Sequence, residues 1–308
     1  MTGGAERGDA GSGPDAASDD RSVLIGICYR LLGSLSDAED AVQETYVRWY
    51  RLSDREREAI ATPRAWLIRT AGRIGLDMLG SARARHERYV GEWLPEPVPA
   101  PGRWSTLPGT GEVDDPAERV SLDESVSMAL LVVLETMTPA ERVAFVLHDV
   151  FRYPFDEVAT IVGRSPAACR QLAASARRRV GDARRVAVAS AEHAAVVRSF
   201  AAAWRSGDLR ALVDLLDPDA TAITDGGGLV SAELEPIRGA EAIAAFFVGV
   251  LARRPDLAVR EEEVNGEPGL VVSLGGETTA VMAFALGGSA VEHVWVVRNP
   301  DKLRAWRR

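Results

Sequence analysis

Residues 138–180, TPAERVAFVLHDVFRYPFDEVATIVGRSPAACRQLAASARRRV, decide the reading of this chain, because Phe155 to Arg179 within them has the pattern of a helix-turn-helix. Thr138, Pro139 and Glu141 predict a helix start: a hydroxyl at the N-cap, a proline where the first turn needs no N–H, and a carboxylate three residues after the cap. That helix carries Val143, Phe145, Val146 and Val150. A second helix places Val158, Ile161 and Val162 on one side, Gly163 turns the chain, and Ser165-Pro166 cap a third. In the third helix Cys169, Leu172, Ala173 and Ala176 form a buried stripe, while Ala167, Arg170, Gln171 and Ala174 share a solvent face. A recognition helix needs both, one for the core and one for base edges in the major groove. From Ile161 to Arg185 seven arginines stand against Asp182 alone, a net of +6 on a chain whose total is -9. Arg164 and Arg177 to Arg179 suit phosphates, and Arg170 with Gln171 suits bases. A helical hairpin with a wetted basic end has the same spacing, so the reading needs support elsewhere in the chain.

The 308 residues suffice for two or three domains, and 46% apolar with 26% charged residues is a globular composition. No apolar run reaches the roughly 20 residues that span a bilayer. The start of the chain, with Glu6, Asp9, Asp15, Asp19 and Asp20 against Arg7, lacks the basic and apolar regions of a secretory signal, which predicts a cytoplasmic protein. Cys28 and Cys169 lie in apolar helical patterns and form no metal-spaced cluster, so both read as buried thiols and no metal or cofactor is expected. Net charge matters here by segment: separate basic stretches on an acidic chain allow one face to meet phosphate and another a basic protein.

In order, residues 1–20 predict a disordered acidic tail. Val23, Leu24, Ile27, Cys28, Leu31 and Leu32 have helical periodicity up to Gly33. Ser36 with Glu39 predicts a capping box for a helix to about Tyr50, with Ala38, Ala41, Val42 and Thr45 inward and Asp37, Glu39, Asp40, Gln43 and Glu44 outward. Such an acidic face is either solvated or docked on a basic partner. Arg51 to Ile60 reads as a loop or frayed helix. Pro63 opens a helix with Ala65, Trp66, Leu67, Ala71, Ile74 and Leu76. Arg64, Arg69, Arg73, Arg83, Arg85 and Arg88 outnumber Asp77 and Glu87 across residues 62–88, a net of +4. Trp49, Tyr50 and Trp66 flank this basic stretch, a mixture suited to holding phosphates and stacking unpaired bases, although core tryptophans explain Trp66 equally well.

Residues 91–120 hold repeated prolines and glycines with a net of -4, and read as an acidic linker. Residues 121–186 form the second helical domain with the helix-turn-helix. Beyond it Ala191–Ser206, Leu209–Leu216 and Ala240–Leu251 read as helices. Strands are expected at Ala220–Thr224, Val259–Val264, Leu270–Leu274, Thr278–Leu286 and Val291–Val297, forming a meandering antiparallel sheet in an α+β domain at 189–300 that could hold a small molecule in a pocket. Residues 301–308 read as a tail.

Ser36-Asp-Ala-Glu-Asp-Ala-Val-Gln-Glu-Thr45, Pro63-Arg-Ala-Trp-Leu67 with Asp77, and Thr138-Pro-Ala-Glu-Arg142 with the helix-turn-helix resemble regions 2 and 4 of extracytoplasmic-function sigma factors of bacterial RNA polymerase. Tyr89-Val-Gly-Glu-Trp-Leu-Pro-Glu-Pro97, Asp225-Gly-Gly-Gly228 and Asn299-Pro-Asp-Lys-Leu303 resemble hallmarks of the subgroup with a fused C-terminal SnoaL/NTF2-like domain. The resemblance implies two all-α sigma domains and a cone-shaped α+β domain, with core RNA polymerase and promoter DNA as partners. It also implies that Asp37, Glu39, Asp40, Gln43 and Glu44 dock on the clamp helices of β′, and that Trp49, Arg64, Trp66, Arg69 and Arg73 meet the -10 element. Region 4, through Arg164, Ala167, Arg170, Gln171, Ala174, Arg177 and Arg178, would read the -35 element and contact the β flap. Trp93, Leu94 and Pro95 would meet Asp225, Gly226, Gly227 and Gly228, with Asn299, Pro300, Asp301, Lys302 and Leu303 fixing domain placement to regulate the sigma part in cis. Arg304, Arg307 and Arg308 are expected to attract acidic linker groups. Two departures are Gly80 and Ser175, each where an arginine is usual.

Two rival functions remain. A dimeric repressor accounts for the helix-turn-helix and leaves the second basic segment and the acidic helix unexplained. An enzyme could use Asp225, His193 and His293, but these lack paired carboxylates, a nucleophile-base order or a phosphate loop.

Overall fold

A computed structural model describes residues 14–86, 89–99, 127–183 and 190–307. The expectations for residues 1–13, 100–120, Arg88, Arg184, Arg185 and Arg308 lie outside these residues. Three units are present among them.

The first unit comprises α1 (Pro14–Leu32), α2 (Leu35–Arg51), α3 (Asp54–Glu58) and α4 (Pro63–His86). Helix already begins at Pro14, inside the stretch expected to be a disordered tail. Gly33 ends α1 in the left-handed region at φ 68°, its N–H donating to Tyr29 O at 2.7 Å. Ser34 then caps α2 at once, its hydroxyl accepting from Asp37 N at 3.2 Å. The expected cap at Ser36 is thus displaced by two residues, because a one-residue glycine turn leaves no room for a longer connection. Ser53 and Glu56 form an unforeseen capping box on α3, the helical one of the two alternatives for this stretch.

The second unit holds α5 (Met128–Glu135), α6 (Pro139–Phe145), a π-helical turn (Val146–Val150), α7 (Phe155–Val162) and α8 (Pro166–Ala183). Thr138 and Glu141 make the reciprocal capping box, and Gly163 closes α7 at φ 72°. The two units share one apolar core. Leu24, Ile27 and Leu31 of α1 and Ile68 and Ile74 of α4 belong to the same cluster as Val143, Leu147, Val158 and Ile161. Arg142 is buried in this core, donating to Arg30 O at 3.1 Å and pairing with Glu135 at 2.6 Å.

The third unit starts with α9 (Ser190–Ser206) and α10 (Leu209–Leu215) and continues through β1 (Leu216–Asp225), β2 (Ile237–Arg238), α11 (Ala240–Arg253), β3 (Ala258–Val264), β4 (Glu267–Leu274), β5 (Glu277–Gly287) and β6 (Ala290–Val297). The sheet order is β2-β1-β6-β5-β4-β3. β3 to β6 form the expected antiparallel meander, but β1 runs parallel to β6, which corrects the expectation for the first strand. Strand alternation divides the sheet into two faces. Leu270, Val272, Met282, Phe284, Val294 and Val296 face the helices with Phe200, Trp204 and Phe247. Those rings pack edge-on at 5.0–5.3 Å and fill the interior, each buried side chain of this kind contributing about 1.5–3 kcal/mol.

Val271, Val281, Ala283, Trp295 and Val297 form the other face, which packs against Leu94, Met128, Leu303 and Trp306. The third unit therefore completes its core with residues from the linker, from α5 and from the end of the chain. Residues 94–98 of the expected linker are all buried, and Pro99 makes a β-bridge with Val264. Residues 302, 303 and 306 are buried too, so the described end of the chain is packed rather than a tail.

Candidate functional site

The solvent face of α8 carries Ala167, Arg170, Gln171, Arg177 and Arg178, all exposed, while Ala174 is half-buried rather than outward. Cys169, Ala173 and Ala176 are buried beneath them. The Ser165 hydroxyl caps the helix by accepting from Ala168 N at 3.2 Å. Arg164 is exposed at the turn before it. Arg170 lies over the Phe155 ring at 5.5 Å, which ties the base-reading candidate to the preceding helix. Ser175, one of the two departures, donates to Glu141 Oε1 at 2.7 Å, so it braces the recognition helix against the capping box. At Gly80, the other, an added Cβ would meet nothing within 4 Å.

On α2, Glu39, Asp40 and Gln43 are exposed, with Asp37 and Glu44 half-exposed along the same side. Glu44 pairs with Arg48 at 2.8 Å. The basic stretch of α4 lies close by. Trp49 and Trp66 contact each other at 5.2 Å, Arg64 lies 3.5 Å from Asp20, and Arg69 is exposed. Arg73 donates to Ile161 O of α7 at 3.0 Å. Between α2, α4 and α7 runs a cleft of about 410 Å³ lined by Arg48, Trp66, Arg69, Thr70, Arg73, Thr160 and Ile161. Three candidate DNA contacts of the first unit thus sit along its seam with the second. Gly72 permits this approach, since a Cβ there would lie 3.3 Å from the Ile161 side chain.

The junction around residue 94 is built differently. Asp225 is fully buried at the end of β1; its Oδ2 accepts from Leu94 N at 3.0 Å and from Lys302 Nζ at 2.7 Å, and its Oδ1 accepts from Tyr89 Oη at 2.6 Å. Lys302 also donates to Leu94 O at 2.5 Å and lies 4.0 Å from the Trp93 ring centre. Burial lowers its pKa and Asp225 opposes that shift. Asn299 donates to Tyr89 Oη at 2.7 Å and accepts from Asp301 N. Gly227 has φ 64°, and a Cβ on it would fall 2.4 Å from Asn299, so both backbone sign and space demand glycine. Pro95 is buried within residues 94–98, the strap by which the linker packs between the units. Arg304 pairs with Asp301 at 2.8 Å and also feels the charge of the linker's Glu96, while Arg307 donates to Pro300 O at 3.2 Å.

Five residues of this junction are absent from the sequence-derived site. Glu96 Oε2 accepts from Leu35 N at 2.8 Å, capping α2 from outside. Its backbone accepts from Tyr29 Oη at 2.6 Å. Asn265, buried with φ 54°, exchanges bonds with Val98 at 2.9 and 3.1 Å and donates to Tyr29 Oη at 2.8 Å. Trp306 Nε1 donates to Pro97 O at 2.8 Å. Tyr89 is the fifth, central to the Asp225 network. Asn265-Gly266 is legible as a hairpin turn, but nothing local shows that its tip enters another unit.

His193 and His293 do not join the junction. His293 Nδ1 contacts Thr221 Oγ1 at 3.0 Å and burial lowers the pKa of both histidines. Among the described residues no group of three or more His, Cys, Asp and Glu is placed to hold a metal ion, and no helix is long and apolar enough to cross a membrane.

A helix-turn-helix with an open basic face, a second helical unit with acidic and basic faces, and an attached α+β unit define a multidomain transcription initiation factor of the sigma class. Residues 18–85 match sigma-70 region 2, residues 127–180 match sigma-70 region 4, and residues 197–302 match the SnoaL-like domain. The chain is 39% identical over 297 residues to the ECF RNA polymerase sigma factor SigJ of Mycobacterium tuberculosis, covering 92% of this chain and 90% of that one. It is 33% identical over 293 residues to the probable ECF sigma factor SigI of the same species, covering 92% and 93%. The crystal structure of M. tuberculosis SigJ superposes with a TM-score of 0.72 at 34% identity, covering 94% of this chain and 98% of that one. The chain belongs to the extracytoplasmic-function sigma factors, with a fused SnoaL-like domain. As a sigma factor it directs transcription initiation by RNA polymerase.

Proposed function

We propose that region 2 and region 4 divide promoter recognition and that the SnoaL-like domain regulates both in cis through the linker. Asp37, Glu39, Asp40, Gln43 and Glu44 dock on the β′ clamp helices of core polymerase. Trp49, Arg64, Trp66, Arg69 and Arg73 hold and open the -10 element. Arg170 and Gln171 read -35 base edges; Arg164, Arg177 and Arg178 hold phosphate, with Ala167 and Ala174 leaving room for the groove, and the same region meets the β flap. Acting with RNA polymerase, the protein would work in the cytoplasm.

One observation carries the regulatory part: the Asp225–Lys302 pair closes on both the N–H and the carbonyl of Leu94. The same strap caps α2 through Glu96, and α2 bears the docking face. Loss of the strap therefore alters region 2 directly. In this arrangement the half-exposed Arg73 is also tied to α7 through Ile161 O, so freeing it for the promoter requires regions 2 and 4 to part. The test is heparin-resistant open-complex formation with purified core polymerase on promoters selected from a randomised library. Open complexes that require this chain and lose strand opening with Trp49→Ala and Arg73→Ala support the reading; DNA binding without polymerase-dependent opening contradicts it.

A further inference from the structure

The exposed end of α8 carries Arg177, Arg178 and Arg179, and two of these already have acidic partners within the second unit. Arg179 lies 3.8 Å from Glu141 Oε1, and Arg177 Nε lies 3.5 Å from Asp149 Oδ1. Glu141 has a structural duty, since it closes the capping box with Thr138 and accepts from Ser175. Asp149 has no such duty. Its Oδ2 is buried without a hydrogen-bond donor, an arrangement that destabilises a folded chain and calls for a reason.

The backbone adds a second peculiarity. Asp149 lies in the π-helical turn Val146–Val150, where the wider turn re-aims the side chains it carries; such turns are rare and concentrate at functional positions. The other charged groups around it are His148, stacked on Phe155 at 3.7 Å, and Arg152. Arg177 is half-exposed, with its side chain at 52%, whereas that of Asp149 is at 17%, so the arginine can turn outward while the acid stays behind.

We propose that Asp149 is an intramolecular stand-in for a DNA phosphate, holding Arg177 until α8 meets the duplex and thereby setting the affinity of region 4. The proposal rests on the reading of Arg177 as a phosphate contact. A half-exposed guanidinium 3.5 Å from its acid is weakly held, because solvent screens the pair from the arginine's side. When Arg177 turns to DNA, Asp149 loses its partner and faces added phosphate charge. The acid thus opposes binding twice.

The experiment measures binding of holoenzyme, assembled from full-length chain and core polymerase, to a fluorescent promoter fragment selected with the wild-type holoenzyme. Asp149→Asn, which keeps the shape, should tighten binding about 3- to 10-fold at low salt and steepen the dependence of log K on log salt by up to about 0.9. In an Arg177→Ala background the same substitution should change affinity less than twofold. Asp149→Ser, checked by thermal melting, repeats the test without the amide. Unchanged or weaker binding by both Asp149 variants, or the same gain without Arg177, overturns the proposal. If Arg177→Ala alone leaves affinity intact, the phosphate reading beneath it fails instead.

Discussion

The recognition face of α8 and the junction at Leu94 are both dense in polar side chains, yet they are in opposite states. On α8, Arg170, Gln171 and Arg178 are exposed. At the junction, Asp225, Asn265, Asn299 and Lys302 are buried and bonded to one another or to linker backbone. Burying polar groups is costly unless they are satisfied, and those of the junction are, so the junction is already a completed interface, whereas the α8 face is an interface still awaiting its partner. Substitutions should follow that division: junction changes act on stability and domain placement, and α8 changes act on DNA alone.

The largest effect is expected at Lys302. Removing one member of a buried ion pair leaves the other uncompensated, and Lys302→Met should destabilise the folded chain by about 3–5 kcal/mol in urea unfolding. Adding Asp225→Asn to it should recover much of that loss. A small effect of Lys302→Met alone would break the comparison.

Next comes Asn265→Ala, which strands the Val98 N–H. A loss of about 1–3 kcal/mol is expected, with faster amide exchange at Val98 than in the parent chain. Unchanged exchange there would mean that the hairpin tip does not hold the strap.

On the α8 face, Arg170→Ala should leave the melting temperature unchanged and cost about 1–3 kcal/mol of discrimination at one -35 base pair, read from a sequenced binding library. Arg178→Ala should weaken all sequences alike and lower the salt slope by about 0.9. A melting loss comparable to that of the junction variants would show that this face is structural after all.

The smallest effect sharpens the role of Glu96. Burial raises its pKa, opposed by the Leu35 and Ser36 N–H groups and by Lys302. The folded chain then binds this proton more tightly than the unfolded one, so the contribution is present below the ordinary glutamate range and is lost as pH rises through the raised folded value. Glu96→Gln keeps an acceptor for Leu35 and should flatten the decline of the urea midpoint above about pH 4.5. An undiminished decline would assign it to other groups.

Local features of this fold were legible, and non-local ones were not. Thr138 with Glu141, Gly163 and the stripe of Cys169, Ala173 and Ala176 announce the helix-turn-helix because caps and periodicity act within a few residues. The one-residue turn at Gly33 moved a cap by two positions, a detail of backbone angle. Parallel pairing of β1 with β6 joins strands far apart in the chain, and the bond from Asn265 to Tyr29 spans 236 residues. The strap misled for another reason. Proline removes N–H groups and suggests a spacer, but an extended proline-rich segment needs few donors and packs readily when residues such as Leu94 and Val98 point into cores. Tyr89–Pro97, Asp225–Gly228 and Asn299–Leu303 entered through family resemblance, while Tyr29, Asn265 and Trp306 emerge only from the packing.

The third domain acts on the sigma regions through this junction. The direct measurement is multi-round transcription by purified core polymerase with the full-length chain and with a chain ending after Arg298, which lacks Lys302 and Trp306. Both are tested on the same promoter after thermal melting confirms that each is folded. The account predicts different transcription from the two chains. Equal transcription across salt and temperature would contradict it.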